Sequence, residues 1–258
     1  MNKKSSQSSS GDSYPNSTII EALCELHFTS GGNASDEVWD GKWFGRLLTE
    51  LGQKYDMEPK LMSRVQVQSS GDQTKISSQA IPAMAHMIYR CKNGSYLIQL
   101  SPWKLTINEL KYENWDTFSK HIQHAWICLS KIIDAIGLKR IGMRYINKIP
   151  RATAEESVGS WINDTRLVPN SLLEQKKNFF YRNELQKSDD TKLILVIAEE
   201  TSTSPPSLIF DIDIISLKEL NGDWNFISAE IDNIHKQIRE VFDSSCTEKY
   251  TKFLNNFS

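Results

Sequence analysis

Two stretches of the chain alternate apolar and polar side chains, which is the pattern of a strand with one buried face. The first runs from Thr18 to Phe28 and the second from Arg140 to Ile149. In the first stretch we expect the buried face to consist of Ile20, Ala22, Cys24, Leu26 and Phe28. Each stretch begins a similar series of elements: a strand, a helix, a meander of short strands and a long amphipathic helix.

The meanders contain the clearest turn signals. Asn93-Gly94 separates the strands predicted at Met84–Cys91 and Tyr96–Ser101, and this dipeptide favours a type I′ hairpin turn. Residues 63–82 are rich in Ser and Gln, so we expect a loop with at most an edge strand at Val65–Gln68. Three further strands are predicted in the second part of the chain, near Asn178–Gln186, Lys192–Glu199 and Leu208–Ile215.

Apolar residues at helical spacing predict the helices. They are a helix capped by Ser35 or Asp36 and reaching Tyr55, a long helix from Asn114 to Gly137, a weaker one near Ala154–Asn163, a long one through Ile227–Val241, and a short last one capped by Thr247.

This order of elements predicts an α+β fold made of two β-α-β-β-β-α units. We expect a curved antiparallel sheet packed on the long helices, similar in element order to TATA-binding-protein-like folds. The predicted organisation is a disordered Ser-rich tail at residues 1–17, a first half at 18–137 and a second half at 138–258. The two halves are expected to pack together as one globular unit.

Composition excludes several classes of protein. The 258 residues hold 30 Lys and Arg against 32 Asp and Glu, so no overall positive charge attracts nucleic acid. The four cysteines form no CxxC pair, which argues against a zinc ribbon or a disulfide scaffold. Neither a signal peptide nor an apolar run of about 20 residues is present, which predicts a soluble cytoplasmic protein.

Three short motifs resemble one protein family. They are the strand Ile19–Phe28, the strand Arg140–Ile149, and the ending Ile234–Phe242 followed by Thr247-Glu248. The family is sporadically distributed, prokaryotic and uncharacterised, with an N-terminal V-E-A-x-x-E-like strand and a central R-Y-x-N strand. The resemblance implies no reaction. Its patchy distribution is common among accessory genes, including those for defence against phage and mobile elements, so it implies an accessory role of that kind.

Ionic side chains occupy the strand faces that point away from the predicted helices. Acidic residues lie on the first and last strands, and basic residues lie on the middle strand between them. The basic set is Arg140, Arg144 and Lys148, and the acidic set is Glu21, Glu25, Asp211 and Asp213. If the first and middle strands pair, oppositely charged rows face each other and help to set the register.

Two functional interpretations of these residues remain open. Guanidinium and ammonium groups on a rigid strand predict local anion or nucleic-acid binding through Arg140, Arg144 and Lys148. Carboxylates two apart on a strand share a face, so Glu21, Glu25, Asp211 and Asp213 are alternative ligands for Mg²⁺ or Mn²⁺. The histidines His121, His124 and His235 are expected on polar helix faces, and no nucleophile lies in a G-x-S-x-G turn.

The leading hypothesis is a non-enzymatic, cytoplasmic protein-binding or accessory module that needs no cofactor. Its partner is expected to be another protein or a second copy of the chain. One alternative is a metal-dependent hydrolase acting on a phosphate-containing substrate, with a divalent cation as its cofactor. The other alternative is local recognition of an anion or nucleic acid by the basic strand. No membrane association is predicted.

Overall fold

A computed structural model describes the chain in five segments: residues 14–29, 42–56, 58–71, 76–133 and 137–256. For residues 63–71 and 76–85 it describes the backbone alone. The predicted cap at Ser35 or Asp36 and most of the predicted tail lie outside the described residues.

The described residues form nine strands and five α-helices. The strands are β1 (Ile19–Phe28), β2 (Lys60–Gly71), β3 (Ile76–Arg90), β4 (Tyr96–Ser101), β5 (Lys104–Glu109), β6 (Leu138–Ile149), β7 (Phe180–Ser188), β8 (Thr191–Glu200) and β9 (Ser207–Ser216). The helices are α1 (Lys42–Leu51), α2 (Trp115–Ser130), α3 (Asn170–Leu173), α4 (Trp224–Ser245) and α5 (Glu248–Asn255), with one 3₁₀ turn at Val158–Ser160.

All nine strands belong to one antiparallel sheet, in the order β2-β3-β4-β5-β1-β6-β9-β8-β7. The two strands with the clearest alternation, β1 and β6, pair with each other at its middle. The predicted α+β class with an antiparallel sheet is therefore confirmed. The same order leaves β2 and β7 as the two edge strands of the described sheet.

One face of the sheet is covered by the two long helices. Helix α2 packs on β5, α4 packs on β6 and β9, and the two helices contact each other. Apolar residues from both parts of the chain form a single core cluster beneath them. This burial of apolar surface is the main source of the fold's stability. None of the described helices is long and apolar enough to cross a membrane.

The predicted alternation holds along most of β1. Ala22, Cys24, Leu26 and Phe28 are buried, but Ile20 is 47% exposed, which corrects its predicted place. The cause is a break in register against β6, where Ile19 pairs with Asn147 and Glu21 pairs with Ile146. Ile20 is the extra residue of a β-bulge, and a bulge turns one side chain out of the alternation.

The Ser- and Gln-rich segment is mostly strand and not the predicted loop, although the edge strand predicted at Val65–Gln68 does lie within the edge strand β2. Its backbone extends through β2 and β3, which pair along Lys60–Gly71 and Ile76–Arg90. The hairpin at Asn93-Gly94 is confirmed but its type I′ turn is not, because only Gly94 has a positive φ, of 69°. The Asn93 side chain instead accepts a hydrogen bond from the backbone N of Ser95 at 2.9 Å.

The helix predicted near residues 154–163 is reduced to the 3₁₀ turn at Val158–Ser160. Two of the predicted helix caps are confirmed. Asn114 accepts a hydrogen bond from the N of Thr117 at the start of α2, and Thr247 accepts one from the N of Tyr250 at the start of α5.

The described end of the predicted tail packs on α4 and α5. The Tyr14 hydroxyl donates to Asp243 Oδ1 at 2.8 Å, and the N of Asn16 donates to Leu254 O at 3.0 Å. Residues 14–17 are thus part of the folded structure, although the predicted tail includes them.

Candidate functional site

The face of the sheet opposite the helices carries the charged residues predicted from the sequence. We call it the ionic face, and its charged members on the adjacent strands β5, β1, β6 and β9 are Lys104, Glu21, Glu25, Arg140, Arg144, Lys148, Asp211 and Asp213. Pairing of β1 with β6 brings the acidic and basic rows together, as the charge pattern predicts. The actual partners, however, are set by the full register of four strands.

Arg144 binds a carboxylate on β9. It lies directly opposite Asp213 in the β6–β9 ladder, but its guanidinium turns diagonally toward Asp211. Nε and Nη2 donate to the two oxygens of Asp211 at 2.8 and 2.5 Å, and Asp211 is only 3% exposed. A bidentate pair of this kind is strong and geometrically specific. Arg144 is therefore already engaged by a carboxylate of the protein.

Asp213 lies near that pair, where burial and the Asp211 charge disfavour its ionised form. Its burial raises the pKa of its carboxyl to about 6; Arg144 and Arg140 oppose this rise, and the Asp211 charge adds to it. Asp213 therefore changes its charge in the range just below neutrality.

Glu25 is the centre of a second cluster. It accepts hydrogen bonds from Lys104 and from His27 Nε2, the latter at 3.0 Å, and Arg140 Nη2 lies 3.8 Å from it. Burial alone would raise the pKa of Glu25, but the bonds from His27 and Lys104 outweigh it and lower the pKa to about 2. Nε of Arg140 is buried without a hydrogen-bond partner.

The remaining predicted residues also have partners within the protein. Glu21 Oε1 accepts from Asn108 Nδ2 at 2.6 Å, and Asn108 Oδ1 accepts from Gln99 Nε2 at 2.8 Å. Lys148 Nζ lies 2.5 Å from Glu200 Oε2. These contacts run from β4 through β5 to β1 and from β6 across β9 to β8, so each of them links strands on both sides of an intervening strand.

This geometry bears directly on the two functional interpretations of the charged residues. Asp211 is committed to Arg144 and Glu21 to Asn108. Glu25 is surrounded by Lys104, His27 and Arg140. Among the side chains that the structure describes, no three His, Cys, Asp or Glu lie together as a group that could hold a metal ion. Of the basic row, Arg144 and Lys148 have close carboxylate partners and Arg140 a more distant one.

A small cleft opens on the helix side of the sheet, near the start of β1. Its lining is largely apolar and includes Ile19, Ile212, Ile238, Phe242 and Leu254, with Tyr14 and Arg239 also in the wall. The sequence did not point to this cleft, because its walls come from distant segments of the chain.

Polar groups lie at two places in the cleft wall. The Tyr145 hydroxyl is 3.1 Å from His235 Nδ1, and the His235 ring stacks on Trp115 with 4.1 Å between centroids. Deeper, Thr18 donates to Asn147 Oδ1 at 3.0 Å and contacts the Tyr250 hydroxyl at 2.5 Å. The sequence predicted His235 on a polar helix face, but its ring lies against Trp115 and Tyr145 in the cleft wall.

The third distinctive surface is the open edge, which we define as the outer side of β7. Within the described sheet β7 pairs only with β8. Two large apolar side chains are exposed on it, Phe180 by 73% and Leu185 by 44%. An exposed strand edge is a template for pairing with another chain.

Hydrogen bonding defines which backbone groups the open edge presents. The N of Glu199 donates to Phe179 O at 3.1 Å, which makes them a hydrogen-bonded pair. Such pairs alternate along an antiparallel ladder, so Tyr181, Asn183 and Leu185 also direct their N–H and C=O groups at β8. The residues whose backbone groups point outward are therefore Phe180, Arg182, Glu184 and Gln186.

Comparison of the sequence with known protein families gives no matching family, and comparison with curated proteins gives no significant match. The resemblance to an uncharacterised prokaryotic family therefore stays a prediction.

Proposed function

We propose that the protein is a non-enzymatic binding module that recognises a protein partner by strand addition at the open edge. The observation that carries this proposal is an edge strand with outward backbone groups and an aromatic side chain, Phe180, that is 73% exposed. An added strand gains affinity from main-chain hydrogen bonds and specificity from alternate side chains. Phe180 is the side chain best placed to supply that specificity.

The ionic face supports a structural role for its charges. Three of the four carboxylates that a metal-dependent hydrolase would need, Asp211, Glu21 and Glu25, are engaged by side chains of the protein. Arg144 of the anion-binding alternative is engaged as well. Paired charges across strands stabilise a particular register. Turnover of any phosphate-containing substrate by the purified chain would contradict the proposal.

The experiment is selection of binding peptides from a random peptide library displayed on phage, with the wild-type protein as bait. We expect extended sequences rich in β-branched and aromatic residues whose binding is lost in Phe180→Asp. The matched control is Phe226→Asp, which removes another exposed phenylalanine, 56% exposed, from α4. Peptides that bind Phe180→Asp as well as they bind the wild type would rule out the open edge.

We also propose that residues 18–137 and 138–258 are two related halves arranged like a TATA-binding-protein-like saddle. The sheet order supports this, because β5, β4 and β3 follow β1 on one side as β9, β8 and β7 follow β6 on the other. A helix on the same face ends each series, α2 in the first and α4 in the second. The first series has β2 as an additional strand.

A second candidate function is binding of a small apolar ligand in the cleft. Its mostly apolar lining is typical of ligand sites. Ile19→Trp should fill the cleft and abolish binding of an apolar fluorescent dye. Ile20→Trp is the matched control, because it adds the same ring to the neighbouring residue, which does not line this cleft. Equal dye binding by the two variants would exclude the cleft.

A further inference from the structure

The open edge of β7 is complementary to a second copy of itself. Its outward backbone groups belong to residues with even numbers, Phe180 to Gln186, so an added β7 strand must pair even-numbered residues with even-numbered residues. This leaves a small set of two-fold registers, each centred on one residue of β7. Charge then distinguishes among them.

Two of the central registers bring like charges together. A two-fold axis at Arg182 places that arginine opposite its own copy, and an axis at Glu184 places two glutamates opposite each other. Like charges directly opposite in a ladder are destabilising. An axis at Asn183, between these two, places Arg182 of each copy opposite Glu184 of the other.

The Asn183 register also covers apolar surface. It places Leu185, which is 44% exposed, opposite Tyr181 of the other copy on the helix side of the sheet. Within one chain Arg182 Nη2 already donates to Glu184 Oε1 at 2.5 Å, so the two copies would form a closed square of alternating charges.

We propose that the partner at the open edge is a second copy of this chain, joined through antiparallel β7 strands about a two-fold axis at Asn183. This inference rests on the proposed function and names its partner. The dimer would continue the sheet of one copy into the sheet of the other, and it would cover the edge that otherwise invites uncontrolled association.

The test is sedimentation velocity over a range of protein concentrations. The wild type should be a dimer. Arg182→Glu and Glu184→Arg should each raise the dissociation constant roughly 10- to 100-fold, because two attractive pairs become repulsive. The double variant R182E/E184R restores opposite charges in this register and should dimerise like the wild type. Lys60→Glu reverses an exposed charge on β2, the other edge strand, and should have no effect.

Cross-linking tests the axis itself. Residues opposite each other in a non-hydrogen-bonded pair have Cα atoms about 4.5 Å apart, close enough for a disulfide. Asn183→Cys should therefore give a disulfide-linked dimer under oxidation, whereas Leu185→Cys, opposite Tyr181, should not. The four native cysteines are buried and give little background.

Each result bears on the proposal. Rescue by the double variant together with cross-linking at residue 183 supports it. A monomeric wild type overturns it, and so does a dimer that is unaffected by either single charge reversal. The peptide selection separates the two levels of inference, because binding that depends on Phe180 would uphold the proposed function even if the wild type is a monomer.

Discussion

Asp211→Asn and Asp213→Asn make the same chemical change two residues apart on one face of β9, yet we expect them to alter stability in opposite directions. Asp211 accepts two hydrogen bonds from Arg144 and is 3% exposed. Losing hydrogen bonds to a charged group costs about 1.5 to 3 kcal/mol. Asp211→Asn should therefore lower the free energy of unfolding by that order.

Asp213 behaves differently because burial raises its pKa from 3.8 to about 6. A raised carboxyl pKa means that the folded state holds the proton more tightly than the unfolded state. The associated stability is fully present below pH 3.8 and is lost as the pH rises through about 6. The difference between the two pKa values corresponds to a loss of roughly 3 kcal/mol in the free energy of unfolding at higher pH. Asp213→Asn should recover roughly 1 to 3 kcal/mol of it, because the amide carries no charge at any pH.

The assay is urea unfolding of the wild type and both variants, followed by circular dichroism at about pH 4 and about pH 8, on either side of the Asp213 titration. The free energy of unfolding of Asp213→Asn should equal that of the wild type at the lower pH and exceed it at the higher pH. Asp211→Asn should be less stable than the wild type at the higher pH. If Asp213→Asn gains nothing at the higher pH, or gains equally at both, the carboxylate is not the destabilising group and the reasoning is wrong.

Three other predictions concern stability. Glu25→Gln should be roughly 1 to 2 kcal/mol less stable than the wild type at neutral pH, after solvent screening is allowed for. A lowered pKa stabilises the fold only while the carboxylate is ionised. Unfolding measured as a function of pH should therefore show this difference vanish as the pH falls from 4.5 toward 2. Arg151→Met should cost roughly 3 kcal/mol or more in chemical unfolding, since the buried guanidinium donates to Glu199 and to the carbonyls of Pro206, Glu156 and Lys176. Lys120→Met, which removes the exposed ion pair with Asp116, should cost under about 1 kcal/mol, and equal costs would contradict the role of burial. Tyr250→Phe should cost about 1 kcal/mol in thermal unfolding, because its hydroxyl contacts buried Thr18, and an unchanged melting temperature would show that this contact contributes nothing.

Local patterns were enough to place the strands of the middle of the sheet. Alternation in β1 and β6 depends only on residues that are close in sequence, so their buried faces could be predicted from Ala22 to Phe28 and from Ile141 to Ile149. The bulge at Ile20 could not, because it arises from the pairing of β1 with a strand more than a hundred residues away. The strands β2 and β3 are longer than the predicted segments Val65–Gln68 and Met84–Cys91, because Ser and Gln have little strand propensity of their own.

Partner choice on the ionic face depends on register, which the sequence alone does not encode in any local pattern. The charge rows predicted that acids and bases would meet, but not that Arg144 would select the diagonal Asp211 over the directly opposite Asp213. The cleft was out of reach for the same reason: Tyr14, Tyr145 and His235 come from three distant segments. Phe180 could have been recognised as an edge residue only once β7 was known to be the last strand.

The pairing of β1 with β6 also has a consequence for synthesis on the ribosome. Residues 19–28 leave the ribosome before their partner at residues 138–149, and more than a hundred residues lie between the two segments. In the interval the nascent β1 keeps one side unpaired and vulnerable to association with other chains. The charges of Glu21 and Glu25 along that strand would discourage such encounters until β6 arrives.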